Sequence, residues 1–254
     1  MGVVRALALG GPDTSVRNPW RICMKRLAVL VASAALITLT PAAASGLRAD
    51  PIHRVRAGLA TNWAGYVAHG GPFTSASTTW TEPSITCPPS GRSALASFAG
   101  IDGVTSPTVE QIGTLAICRS GTATHKGFFE MYPKSAFRIA KPIRAGDSLT
   151  ASVVVSAPST FTLTLVNHTA GWTFTTKQQS SQAQLASAEA ITEAPTVGGR
   201  VLALANFGQV NYNGTTANGQ SISNFNPEAV TMVTNGGIVK AAPTTLSGGS
   251  FSVI

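Results

Sequence analysis

The run TFTLTLVN, residues 160–167, sets Phe161, Leu163 and Leu165 on one face of an extended chain and Thr162 and Thr164 on the other. A period of two suits a strand with one buried face; a helix would repeat its faces every 3.6 residues. Similar texture runs from Gly58 to the C-terminus. TNWAGYVA, STTWTEP, SALASFAGID, TVEQIGTLAI, SLTASVVVSA, GWTFTTKQ and VLALANFGQVNYN are short runs rich in β-branched and aromatic residues. Turn signals separate them: GGP at 70–72, CPPSG at 87–91, RAGDS at 144–148, NGTTANG at 213–219 and NGG at 235–237. Many short strands without strand–helix alternation predict an all-β sandwich or barrel. The stretch QQSSQAQLASAEA (178–190) tolerates helix, but it has no C-cap and runs into a strand-like segment.

The N-terminal part reads differently. In MKRLAVLVASAALITLTPAAAS (24–45), Lys25 and Arg26 precede an apolar stretch from Leu27 to Leu39, and Ala42–Ala44 supply small residues for cleavage. That is a secretory signal pattern. It places the start of translation at Met24 and makes residues 1–23 an over-extended gene start or a long n-region. The apolar run is short for a membrane span, which needs about 20 residues. Cleavage is expected near Ala44, giving an extracellular protein free of the membrane. Residues 45–57 (SGLRADPIHRVRA) are polar and basic, and read as a linker or a short pro-segment, followed by one domain over 58–254.

Removing residues 1–44 changes the charge. Five of the 18 basic residues and one of the 10 acids leave with it, so 13 face 9 and the net charge is +4. The remaining positives are scattered, with no basic stripe interleaved with aromatics, which argues against a nucleic-acid partner. Apolar residues at 44% argue against disorder. Cys87 and Cys118 remain, and two cysteines in an exported chain predict one disulfide. It would close a loop worth roughly 3–4 kcal/mol in the loop-entropy treatment. Asn167-His-Thr and Asn213-Gly-Thr are sequons for a host that glycosylates.

Several chemistries lack their signatures. GxSxG, HExxH, Asp-Thr-Gly and P-loop patterns are missing from the sequence. His53, His69, His125 and His168 are unclustered and read as surface or turn residues, so no metal or other cofactor is expected. What stands out is a set of acids and one amide inside apolar strands, where charge is ordinarily avoided. Asp102 ends FAGIDG, Gln111 sits in VEQIG with Glu110 on the opposite face, and Glu130 lies between aromatics in FFEMYP. In AEAITEAP (188–195), an extended chain puts Glu189 and Glu193 on one face.

NWAGY (62–66), FAGIDG (98–103), EQIG (110–113), FEMYP (129–133), AEAITEAP (188–195) and NFG (206–208) occur in an order and spacing that resemble the glutamic peptidases, or eqolisins. The chain looks like a bacterial-type secreted member, with the resemblance running from Asn62 to the C-terminus. It implies a sandwich of two antiparallel sheets, of concanavalin A-like or jelly-roll type. It implies a peptidase domain over 58–254, acting as a monomer on protein or peptide substrates at acidic pH without a cofactor. It also implies a catalytic pair, Gln111 and Glu193, with Asp102, Glu130, Phe98, Trp63 and Glu189 lining or supporting the site. Phe98 and Ala190 stand where the family has Trp, and Ala194 where fungal members often have Asp. Two other readings use the same residues: a non-catalytic extracellular binding module on this fold, and a glycoside hydrolase using Glu130 and Glu193.

Overall fold

The computed structural model describes residues 46–254; the expected leader, Met24 and Cys23 lie outside the described residues. Strands are numbered in chain order. The smaller sheet runs β12 (Trp172–Gln179), β11 (Thr160–Asn167), β10 (Ser148–Ala157), β5 (Ser75–Thr81), β17 (Val210–Ala217) and β18 (Gln220–Ser221), with β21 (Phe251–Val253) also on β17. The larger runs β2 (Arg54–Arg56), β3 (Leu59–Ala60), β19 (Glu228–Val233), β4 (Trp63–His69), β13 (Ser187–Glu193), β6 (Arg92–Asp102), β7 (Val109–Arg119), β8 (Thr122–Tyr132) and β9 (Phe137–Pro142). It also takes β16 (Ala203–Leu204) beside β6 and β20 (Val239–Ala241) beside β19. A separate ribbon joins β1 (Leu47–Arg48), β14 (Thr196–Val197) and β15 (Arg200–Val201). Pairing is antiparallel except for the two short contacts β3–β19 and β6–β16.

The two sheets pack face to face, and the core between them explains the sequence pattern. Phe161, Leu163 and Leu165 of β11 point inward beside Leu149, Ala151 and Val153 of β10. From the larger sheet they meet Ala99, Ile101, Ile112, Ala116 and Phe129. The threonines of β11 are only partly buried on the outer face, so the alternation is kept. β6 is different: from Ser93 to Asp102 every residue is buried. Its inner face meets the smaller sheet and its outer face is covered by other parts of the chain, so a two-sided apolar run replaces alternation.

Cys87 and Cys118 are bonded, with their Cα atoms 5.2 Å apart. The helix-tolerant stretch 178–190 is not helical: β12 ends at Gln179, a connection follows, and β13 starts at Ser187. Of the two sequon asparagines, Asn213 is exposed. Asn167 is buried, donates to Asp147 at 2.7 Å and accepts from the Ala170 nitrogen, so its amide is committed to the fold.

Candidate active site

The site lies on the outer face of the larger sheet. β13 stays extended between β4 and β6, so Glu189, Ile191 and Glu193 share this face while Ala188 and Ala190 enter the inter-sheet core. Register then builds rows across strands. Glu189, Gly100, Gln111 and Glu130 lie abreast on β13, β6, β7 and β8. Ile191, Phe98, Gly113 and Phe128 form the next row, and Glu193 pairs with Ala96 and Trp63. Trp63, Val67, Ala96, Phe98, Phe128, Ile191 and Val230 make an apolar floor, with Trp63 and Phe98 edge to face at 5.7 Å.

Two glycines shape that floor. A Cβ on Gly113 would stand 2.0 Å from the Ser97 carbonyl oxygen, so the strand requires glycine there. A Cβ on Gly100 would stand 2.6 Å from Glu189 Oε1. The missing side chain is what lets the Glu189 carboxyl fold over β6.

The segment of residues 46–57, hereafter the arm, crosses this face as an extended peptide. The Gln111 side-chain amide donates to the Ala49 carbonyl at 2.5 Å, and the Asp50 N–H donates to Glu193 Oε1 at 3.0 Å. Gln111 and Glu193 therefore grip the two polar atoms of one peptide unit, although the residues sit on different rows. Glu130 Oε2 accepts from the Ala49 nitrogen at 2.9 Å, and the Trp63 indole N–H donates to the Asp50 carbonyl at 3.0 Å. Asn62 Nδ2 donates to the Pro51 carbonyl at 3.0 Å and lies 3.4 Å from Glu193 Oε1. Arg48 reaches the Pro133 carbonyl, stands 5.5 Å from the Tyr132 ring centre and 3.8 Å from Glu130 Oε1. At the other end of the arm, Arg54 forms a forked pair with Glu228 at 2.7 and 3.0 Å.

These carboxyls do not behave alike. Burial holds Glu193 well above the usual carboxylate range, and the nearby charges of Asp50 and Glu130 add to it. Burial likewise pushes Glu130 to about 8 and Glu189 well above 4.5. Glu228 moves the other way, to about 2, because Arg54 hydrogen-bonds its charged form. Among the described residues, Glu193 Oε2 and Gln111 Oε1 are buried and accept no hydrogen bond. Both are open acceptors beside the gripped peptide.

Asp102 does not face the arm. It has a left-handed backbone (φ 72°), and its carboxylate accepts the N–H groups of Gln184, Leu185 and Ala186 at 2.8–3.0 Å. It thus fixes the entry to β13, acting on the site through the strand. Ala190 faces the inter-sheet core, so its small size bears on packing, whereas Phe98 is part of the floor. One histidine departs from expectation. His125 is largely buried on β8 and bonds Glu82 at 2.8 Å, because Glu82, itself buried, also takes Thr114 and Trp80 and gathers the polar groups there. Sequence reasoning also passed over Asn62, although it heads the NWAGY run, and it had no signal for the Ala49–Asp50 contact, because arm residues carry no strand period.

Residues 61–253 match the Peptidase A4 family. The chain is 35% identical to scytalidopepsin B of Scytalidium lignicola over 136 residues, which is 51% of this chain and 50% of that protein, so the match spans half the length of that relative. It is 26% identical to aspergillopepsin-2 of Aspergillus niger over 218 residues, 76% of this chain and 77% of that one. Scytalido-glutamic peptidase with a transition state analog inhibitor shares the fold, with a TM-score of 0.67 and 24% identity over 76% of this chain and 97% of that chain. Aspergilloglutamic peptidase from Aspergillus niger superposes with a TM-score of 0.58 at 25% identity, over 63% of this chain and 98% of that chain.

Proposed function

The chain belongs to the Peptidase A4 family, and from that premise we propose that it is a secreted acid endopeptidase in which Glu193 and Gln111 aim a water molecule at a peptide carbonyl. The observation that carries this reading is the shared grip on one peptide unit: an amide on the carbonyl oxygen and a carboxyl on the amide nitrogen. Peptide hydrolysis needs a base for water, stabilisation of the developing oxyanion, and a proton for the leaving nitrogen.

Gln111 Nε2 meets the carbonyl oxygen where negative charge develops, and an amide donor keeps its hydrogens at any pH. Glu193 Oε1 already meets the leaving nitrogen, and its Oε2 can accept from a water that Gln111 Oε1 also holds. Part of the burial, and the Asp50 charge, that raise Glu193 come from the arm lying over it. With the arm displaced and the carboxyl hydrated, its charged form is populated in acid, takes a proton from that water, then delivers it to the nitrogen. Glu130 and Trp63 hold the backbone on either side of the reacting unit. The signal pattern of residues 24–45 supports export.

The test is casein digestion by purified protein across pH, with and without a chelator. Cleavage confined to acidic pH and indifferent to the chelator is expected. Digestion that rises towards neutral pH or stops with the chelator overturns the reading. So does sugar release by a Gln111→Ala variant that leaves casein intact.

A further inference from the structure

Past the Glu193 end of the groove lies a second cavity of about 480 Å³, walled by Thr61, Arg200, Leu202, Thr234, Asn235 and Lys240. Two of its walls lead back to the site. Thr61 precedes Asn62, whose side-chain amide lies 3.4 Å from Glu193 Oε1. The Leu202 N–H donates to the Pro195 carbonyl at 2.9 Å, and the Ala194 N–H donates to the Asn62 carbonyl at 2.8 Å. The two residues that follow Glu193 therefore bridge the catalytic carboxyl and the cavity wall.

The charge of this cavity is one-sided. Among the described residues, none that lines it is an acid. Lys240, in the middle of β20, is half-buried there and donates to the Thr61 carbonyl at 2.9 Å. An ammonium has three donors, so this single bond leaves others to turn into the cavity. Burial lowers the Lys240 pKa from its ordinary 10.5, and no neighbouring acid acts to raise it. A half-buried cation without a counter-charge is costly, and an anion beside it offsets that cost. Arg200, exposed at the start of β15, adds a second positive charge to the rim. Resting on the peptidase reading above, we propose that this cavity is a substrate subsite for a carboxylate, bound by Lys240 and supported by Arg200. Glu193 meets the leaving nitrogen in that reading, so the subsite serves the leaving-group side of the cut bond. The carboxylate comes from an Asp side chain or from the substrate's own C-terminus. With ordinary pKa values of about 3.9 and about 3.5, both stay charged in mild acid.

The experiment uses matched internally quenched peptides at about pH 5, where both carboxylates are ionised. One set exchanges Asp for Asn at each position on the leaving-group side. A second compares free with amidated C-termini. In at least one set the charged member should have a KM about 5-fold lower at similar kcat, the size expected of a partly exposed ion pair. Added salt should shrink that ratio. Lys240→Met should bring it to about one, and Lys240→Arg should keep it. Arg200→Ala, at an exposed position, should reduce it and serves as the second variant if Lys240→Met does not fold. Which set shows the preference names the source of the carboxylate. Equal KM values in both sets overturn the proposal and leave the peptidase reading standing. A ratio that survives in Lys240→Met, or in Arg200→Ala if Lys240→Met does not fold, also overturns it. Failure to cut any peptide or casein across the pH range removes the peptidase reading itself.

Discussion

Glu189 and Glu193 share a strand, a face and full burial, yet only Glu193 reaches the peptide held in the groove. Glu189 instead folds over Gly100, near Asp102 and Glu110. Glu193→Gln should therefore lower kcat on casein peptides by at least about 100-fold, while Glu189→Gln should stay within a few-fold. Steady-state kinetics on the two variants, with melting curves as the folding control, decide this. Burial is the main cause that raises Glu193 and the Asp50 charge adds to it, so Asp50→Asn should move the Glu193 titration to lower pH, as followed by carboxyl NMR shifts. A titration that stays in place or moves up would contradict that assignment. At this scale the sequence was readable where a polar residue interrupts an apolar strand, as at Gln111, Glu130 and Glu193. It was silent on Asn62 and Asp50, whose partners lie 131 and 143 residues away along the chain.

Among the elements, β13 is positioned from outside itself. Three N–H groups before it converge on the Asp102 carboxylate, and β4 and β6 hold it on both edges. Asp102→Ala takes the shared acceptor from those part-buried donors, and should cost roughly 1–3 kcal/mol by denaturant unfolding. Because β13 carries Glu193, activity should fall as well, even though Asp102 does not touch the arm. Strands of the smaller sheet were legible because one face stays partly wet and the period of two survives. β6 was legible only as an apolar run, since both faces are covered. β1 and β14, two residues each, are too short to leave any period, and the helix-tolerant 180–186 connection is decided by Asp102, a tertiary contact that local propensity does not contain.

For the molecule as a whole, the buried acids set a direction for stability. Glu110 is raised to about 7 and Glu130 to about 8, both mainly by burial, with Glu189 and Glu193 raised in the same sense. Below the ordinary value of 4.5 the folded and unfolded chains both hold these protons, and their contribution is full. As pH rises further the unfolded chain releases them first. Stability therefore declines, until the folded groups titrate near 7 and 8. Tm should be highest near pH 4.5, because below it Glu228, lowered to about 2 by Arg54, loses its contribution, and should fall towards mild alkali; Glu110→Gln should flatten that alkaline slope, a difference on the order of 3 kcal/mol. A Tm that rises with pH above 4.5 would contradict it. Cys87→Ser should lower stability by roughly 3–4 kcal/mol, measured against the oxidised parent.

The forked Arg54–Glu228 pair fastens the arm close to the groove from its C-terminal end. Any incoming polypeptide must then displace a rival that is part of the same molecule, at an effective concentration on the order of millimolar. Loosening that tether with Arg54→Ala should lower the apparent KM for casein peptides while leaving turnover at saturation unchanged.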